Sequence, residues 1–216
     1  MILSPSLLAA DSGKYCQEIQ NVYECGAQYL HIDCMDGHFV PNFGFNPTLV
    51  KGLRKYCPIF FDVHLMIENP EVYYQTYINA GADSITIHFE NNCNFKEISD
   101  SCRQQGILFG IAVKPSTDIF SVSPLLSLID VLLIMSIEPG FGGQKFRTMA
   151  LEKIQTASRL RRKSGSSFKI AVDGGVNVPL ARKIRNAGAD ILVAGSAIFN
   201  SSDRERNIKQ LILEDL

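Results

Sequence analysis

Short apolar runs rich in β-branched side chains alternate along the whole chain with longer stretches in which apolar residues recur at helical period. The runs predict strands at ILSPSLL (2–8), YLHIDCM (29–35), IFFDVHLM (59–66), SITIHFE (84–90), LFGIAVK (108–114), VLLIMSI (131–137), KIAVDG (169–174) and ILVAGS (191–196). Helical period predicts helices such as Lys14–Cys25, Pro47–Tyr56, Glu71–Ala80, Phe95–Gln105, Ala150–Lys163 and Pro179–Ala187. The phrases CGAQ (25–28), AGAD (80–83) and AGAD (187–190) put a glycine just past a helix and just before the next strand. This recurrence is the mark of repeated βα units. Strands apolar throughout, rather than on alternate positions, suit parallel pairing with both faces covered. Right-handed crossovers let such units close into an α/β fold of the (β/α)8 TIM barrel type. A doubly wound open sheet is the alternative, but no strand leads into the Gly-x-Gly-x-x-Gly turn of a dinucleotide-binding unit.

With 216 residues and no linker, low-complexity tract or shift in composition, a single catalytic domain over residues 1–216 is expected. No apolar run reaches the roughly 18 residues of a membrane span. The opening MILSPSLLAAD lacks a basic segment and meets an aspartate early, so it fits a first strand of a cytoplasmic protein, with no membrane as partner. Lysine and arginine (21) nearly balance aspartate and glutamate (22), which gives no electrostatic reason for a nucleic-acid partner. The basic run 159–163 is expected to be the solvated end of a helix. Six scattered cysteines without a Cys-x-x-Cys pair predict reduced thiols rather than a zinc or redox motif.

A barrel of this kind builds its site at the C-terminal strand ends, so polar residues there carry the functional expectation. His31 and Asp33 alternate on the second strand and so face the same side, His64 lies near the end of the third, and Asp173 ends the seventh. Two imidazoles and two carboxylates at one mouth suit a divalent cation such as zinc, iron(II), manganese or cobalt. His88, at the end of the fourth strand, is expected to be a loop or supporting group. His38 falls in the loop after the second strand. Asp36, before Gly37, suits a turn, with orientation of a metal-bound histidine as an alternative.

Three glycine-rich loops follow the last three strands: EPGFGGQ (138–144), DGGV (173–176) and AGSAIF (194–199). Glycine lets backbone amides approach a ligand closely, and phosphate sites in these barrels use the loops after strands seven and eight with a short helix N-terminus. A phosphorylated small molecule is therefore expected, with Gly195 and Ser196 as phosphate donors and 196–199 as the short helix.

The segments SPSLLAAD (4–11), HIDCMDGHFVPN (31–42), DVHLM (62–66), IMSIEPGFGGQKF (134–146), VDGGVN (172–177) and VAGSAIF (193–199) together resemble the ribulose-phosphate 3-epimerases, over the length of the chain. The resemblance implies a metal-dependent epimerase that interconverts D-ribulose 5-phosphate and D-xylulose 5-phosphate at C3, in the pentose phosphate pathway. It implies one divalent ion per subunit on His31, Asp33, His64 and Asp173, with Asp33 and Asp173 as the acid/base pair working through an ene-diolate. It implies substrate contacts from Ser6, His64, Gly140, Phe141, Gly142, Gly143, Asp173, Gly174, Gly175, Gly195 and Ser196, with Met35, Met66 and Met135 flanking the reacting centre. A homo-oligomer, dimer or hexamer, follows from the likeness alone. The chain departs from the family at Cys34, where valine is usual, and over Phe43–Asn46. A six-carbon ketose phosphate is the nearest competing substrate, and a barrel that only senses a sugar phosphate is the competing function.

Overall fold

A computed structural model describes residues 1–212. Among them eight parallel strands form one sheet: β1 (Ile2–Pro5), β2 (Tyr29–Met35), β3 (Phe60–Met66), β4 (Ser84–His88), β5 (Leu108–Val113), β6 (Val131–Met135), β7 (Lys169–Asp173) and β8 (Ile191–Ala194). From β2 to β8 each strand pairs with its sequence neighbour, and β1 pairs with β8. A parallel bridge between Ser6 and His31 brings β1 to β2 and closes the ring. The helices are α1 (Tyr15–Glu24), α2 (Pro47–Leu53), α3 (Pro70–Asn79), α4 (Phe95–Gln104), α5 (Met149–Ser164), α6 (Val178–Ala187), α7 (Ser196–Phe199) and α8 (Arg204–Ile212). The expected (β/α)8 barrel is what the chain forms.

Strand alternation divides the core in two. Outward residues such as Ile32, Val63, Ile85, Ile111, Leu132 and Leu192 pack under the helices, where burying each large aliphatic side chain is worth about 1.5–3 kcal/mol. Inward residues differ from one side of the barrel to the other. On β5 to β8 they are apolar: Ala112, Val131, Leu133, Met135, Ala171, Ile191 and Val193 form their own cluster. On β1 to β4 the buried inward residues are mostly polar: Ser4, His31, Asp33, Asp62, His64, Ser84, Thr86 and His88, with Met35 and Met66 at the mouth, aligned by register pairs such as His31 with Asp62 and Asp33 with His64.

Asparagines start several helices. Asn46, Asn94 and Asn177 accept hydrogen bonds from the backbone N–H three residues on, satisfying donors that a first turn leaves free. At the opposite ends, Gly81 and Gly188 take left-handed φ values of 105° and 114°, as their positions past a helix require. They belong to matching clamps on the base of the barrel. Arg54 lies 3.8 Å from the Phe61 ring centroid and donates to Asp83 Oδ2 (2.8 Å) and Cys57 O (2.7 Å), while Asp83 Oδ2 accepts the Phe61 N–H. Arg161 likewise binds Asp190 and the Phe168 carbonyl, and Asp190 Oδ2 accepts the Ile170 N–H. The basic run is thus not all solvated: Arg159, Arg162 and Lys163 are exposed, whereas Arg161 is half-buried in its clamp.

The structure also trims several expected elements. β1 stops at Pro5 because the chain turns into a 3-10 helix at Leu7–Ala9, and β4 stops at His88 before another at Phe89–Asn91. Between β5 and β6, a 3-10 helix at Ile119–Leu125 with Pro124 inside it replaces the usual α-helix; proline lacks the N–H that an α-helical interior needs. All six cysteines are free thiols.

Candidate metal and substrate site

The barrel mouth collects the polar residues of β2, β3 and β7. One ligand atom from each of His31, Asp33, His64 and Asp173 lies within 4.8 Å of every other. His31 Nε2 is 3.4 Å and His64 Nδ1 3.3 Å from Asp33 Oδ1, and the two ring nitrogens are 3.3 Å apart. Both histidines are wholly buried and Asp33 nearly so, while Asp173 is half-buried at the rim.

His31, Asp33 and His64 are each held from behind. Asp62 Oδ2 accepts the His31 Nδ1–H at 2.8 Å, which turns Nε2 inward, and Ser4 Oγ steadies the same carboxylate at 3.3 Å. Ser6 Oγ donates to Asp33 Oδ2 at 2.8 Å. His64 turns its Nε2 to His88 Nε2 at 2.9 Å, and His88 Nδ1 meets Glu90 Oε2 at 3.1 Å. Two imidazole nitrogens and a carboxylate oxygen so face one another across a space that a cation would stabilise. A set of two histidines and two carboxylates matches the preferences of zinc, iron(II), manganese and cobalt.

The electrostatics separate the two mouth carboxylates. Burial works against the charge on Asp33, but His31 and His64 beside it overcome this and hold its pKa well below the usual range. Burial raises Asp173 to about 6, aided by the charge of Asp33 and opposed by the two histidines. Burial opposes the charged form of His31, yet Asp33 and Asp62 win and leave it well above an ordinary histidine. His88 goes the other way, pushed down by burial to about 4 despite the hydrogen bond to Glu90.

Above this cluster opens a small cavity of about 60 Å³. Its lining includes Ser6, Asp33, Met35, Met66, Met135 and Asp173, together with Gly140, Phe141, Gly142, Gly143, Gly174, Gly175, Gly195 and Ser196. Of the residues expected to hold metal or substrate, His31 and His64 do not line it and are wholly buried. The EPGFGG loop is tied across the mouth by Asn42, whose Nδ2 donates to Gly140 O at 2.7 Å. Gly175 has no room for a side chain: a methyl there would meet the Phe146 nitrogen and the Gln144 carbonyl, the latter at 2.7 Å. The short helix expected at 196–199 forms as α7.

A family model for ribulose-phosphate 3 epimerases matches residues 2–199 of this chain. The chain belongs to the ribulose-phosphate 3 epimerase family. The ribulose-phosphate 3-epimerase of Chlamydia muridarum (strain MoPn / Nigg) is 42% identical over 217 residues, covering 99% of this chain and 95% of its own length. That of Bacillus subtilis (strain 168) is 39% identical over 210 residues, covering 97% of each. Among solved structures, the 3-hexulose-6-phosphate synthase of Salmonella typhimurium superposes with a TM-score of 0.73 over 98% of this chain and 96% of its own. At 17% identity that likeness is one of fold alone. As a member of the epimerase family the chain is an enzyme, an isomerase acting on carbohydrates.

Three members of the site were missed by sequence reasoning or left in the background. Asp62 stands two residues before His64, so the alternation that turned His64 inward turned Asp62 inward too. His88 occupies the expected supporting place, but its partner Glu90 lies beyond the strand, where alternation has no say. Asp36 does not orient a metal-binding histidine: its Oδ1 accepts the N–H groups of His38 and Phe39 and its Oδ2 that of Glu68, which builds a turn and joins it to the loop after β3. His38 is exposed and outside the cluster.

Proposed function

We propose that this chain interconverts D-ribulose 5-phosphate and D-xylulose 5-phosphate at C3, with one divalent cation per subunit held by His31, Asp33, His64 and Asp173. The observation that carries the reading is the convergence of these four side chains within 4.8 Å beneath a cavity edged by glycine loops. Epimerisation next to a ketone needs one group to take the C3 proton and another to return one on the opposite face. Asp33, held ionised by its histidines, suits the first task; Asp173, on β7 across the mouth and lining the same cavity, suits the second. In the reverse direction their roles exchange, with an ene-diolate between the two steps. Bound here, a divalent ion would polarise the carbonyl and stabilise the negative charge that develops on oxygen.

Met35, Met66 and Met135 surround the reacting centre with apolar, polarisable side chains that bring no competing proton. Gly174, Gly175, Gly195 and Ser196 offer backbone and hydroxyl donors to the phosphate, and Ser6 contacts the substrate beside Asp33. Among the described residues no helix is long and apolar enough to cross a membrane. We place the enzyme in the cytoplasm, as a dimer or hexamer, in the pentose phosphate pathway.

A coupled assay on ribulose 5-phosphate, with zinc, iron(II), manganese and cobalt added singly to chelated enzyme, tests the reading. At least one metal should restore turnover by a factor of about a hundred or more. Asp33→Asn and Asp173→Asn should each nearly abolish turnover while circular dichroism stays native, and solvent deuterium should enter C3 in the wild type. Near-normal epimerase activity in both variants would refute the two-carboxylate scheme. Running a six-carbon ketose phosphate alongside measures the preference between substrates.

A further inference from the structure

We propose that Glu90, acting through His88, sets the tautomer of His64 so that Nδ1 presents a bare lone pair to the cation site. The inference rests on the metal reading above and assigns positioning roles to two residues outside the four that would hold the cation.

Hydrogens can be counted along the chain from Glu90 through His88 to His64. Glu90 accepts at every contact: its Oε1 takes the Lys114 N–H at 2.9 Å and the Thr117 hydroxyl, and its Oε2 faces His88 Nδ1 at 3.1 Å. An ionised carboxylate has no hydrogen to give, so His88 carries its hydrogen on Nδ1. The other nitrogen of a neutral His88 is then an acceptor. It lies 2.9 Å from His64 Nε2, so the single hydrogen between the two rings belongs to His64 Nε2. With Nε2 protonated, a neutral His64 has a free lone pair on Nδ1, the atom 3.3 Å from Asp33 Oδ1.

The same logic holds His31 more directly, through the Asp62 carboxylate on its Nδ1. One metal-facing imidazole is therefore oriented by a carboxylate and the other by a carboxylate acting through an intervening ring. Supporting partners of this kind change metal affinity by about 10- to 100-fold when removed. The outer end of the chain is anchored as well. Lys153, from α5, donates to the carbonyls of Lys114 (2.9 Å) and Thr117, fixing the loop that grips Glu90. Phe39 packs against His88 with ring centroids 4.8 Å apart, and the Lys114 ammonium lies 4.1 Å from the Phe39 centroid.

Glu90→Gln makes a sharp test, because the backbone N–H of Lys114 cannot reverse its polarity. The glutamine oxygen must stay at Oε1 to serve it, which turns the amide NH2 toward His88 Nδ1. His88 must then accept at Nδ1 and donate from Nε2, and His64 is left with its hydrogen on Nδ1, where it blocks the metal.

Nitrogen-15 NMR of histidine-labelled, metal-free protein should show His64 as the Nε2–H tautomer in the wild type and as the Nδ1–H tautomer in Glu90→Gln. Competition with a chelator for zinc or manganese should show metal affinity lowered by about 10- to 100-fold in that variant. His88→Gln, whose side-chain oxygen can accept from His64 Nε2–H, should keep most of the affinity. A wild-type His64 protonated on Nδ1 overturns the proposal, and so does metal affinity in Glu90→Gln within twofold of the wild type. Failure of the wild-type protein to bind any divalent cation overturns the metal reading instead, while the metal-free NMR comparison still decides the relay.

Discussion

Two glycines eight residues apart predict opposite outcomes for the same substitution. The loop after β2 doubles back on its own strand: Gly44 N–H donates to Met35 O at 3.2 Å and Phe45 N–H to Asp33 O at 2.9 Å. A methyl at Gly44 would stand 2.8 Å from the Met35 nitrogen, 3.1 Å from the Asp33 carbonyl carbon and closer still to the Asp33 oxygen. Comfortable contact for a carbon begins near 3.5 Å, so loop and strand must part by roughly 0.7 Å at the least. Both hydrogen bonds weaken, at about 1 kcal/mol each, and Phe45 must leave its packing. With a typical overpacking cost of about 1–3 kcal/mol, Gly44→Ala should lose about 3–5 kcal/mol. The displaced atoms are those of Asp33, and a misplacement near 1 Å typically costs about a hundredfold in rate. Gly52, inside α2, has nothing within 4 Å of the same methyl, so Gly52→Ala should stabilise by about 0.5–1 kcal/mol with turnover unchanged. Urea denaturation and the coupled epimerase assay measure both variants. A Gly44→Ala protein within 0.5 kcal/mol of wild type and fully active would show the steric reasoning to be wrong.

Other outcomes follow from the same contacts. Burial opposes the charge on Glu90, but hydrogen bonds from His88, Thr117 and Lys114 prevail and lower its pKa from 4.5 to about 2. A carboxylate depressed by folding contributes stability above its unfolded pKa and loses it as pH falls through the folded value. Glu90→Gln should therefore be less stable than wild type at pH 7 by up to about 3 kcal/mol, with the deficit closing between pH 4.5 and 2 in urea titrations. Arg54→Met and Arg161→Met should each cost about 2 kcal/mol by stranding backbone carbonyls, and the double variant about the sum. Turnover at saturating substrate should survive both, and a loss of activity in either while folded would contradict the placing of the clamps away from the chemistry. Metal added at a hundred times its dissociation constant should raise stability by about 2.7 kcal/mol over chelated protein in calorimetry, and Asp33→Asn should forfeit most of that gain.

The barrel was legible because short runs rich in β-branched residues recur eight times between stretches of helical period, and glycines sit where several helices end. The metal-facing set was legible because alternation on β2 aims His31 and Asp33 alike, and because His64 and Asp173 lie at strand ends. What escaped has physical reasons. Asp62 faces inward as His64 does, but it lies one layer below the mouth, where attention to strand ends does not reach. Glu90 is brought to His88 by a 3-10 turn that the run SITIHFE disguises as strand. The helix α8 buries Ile208 and Leu211 among charged neighbours, a pattern too short to stand out from polar chain. Arg161 hid in a basic run whose other members are exposed, and only the fold reveals that its partner is the aspartate of the second AGAD.

The two clamps relate β3–β4 to β7–β8, four strands apart, with Arg54, Gly81 and Asp83 answering to Arg161, Gly188 and Asp190. Turning the barrel by half a revolution carries one set onto the other, yet nothing at the opposite end obeys that symmetry: the quarter holding His31, Asp33 and His64 has only Asp173 facing it. The molecule is thus twofold where it is fastened and lopsided where it reacts. An engineer could regraft the loops of either half at the mouth, or exchange the halves in order, and leave the fastenings untouched.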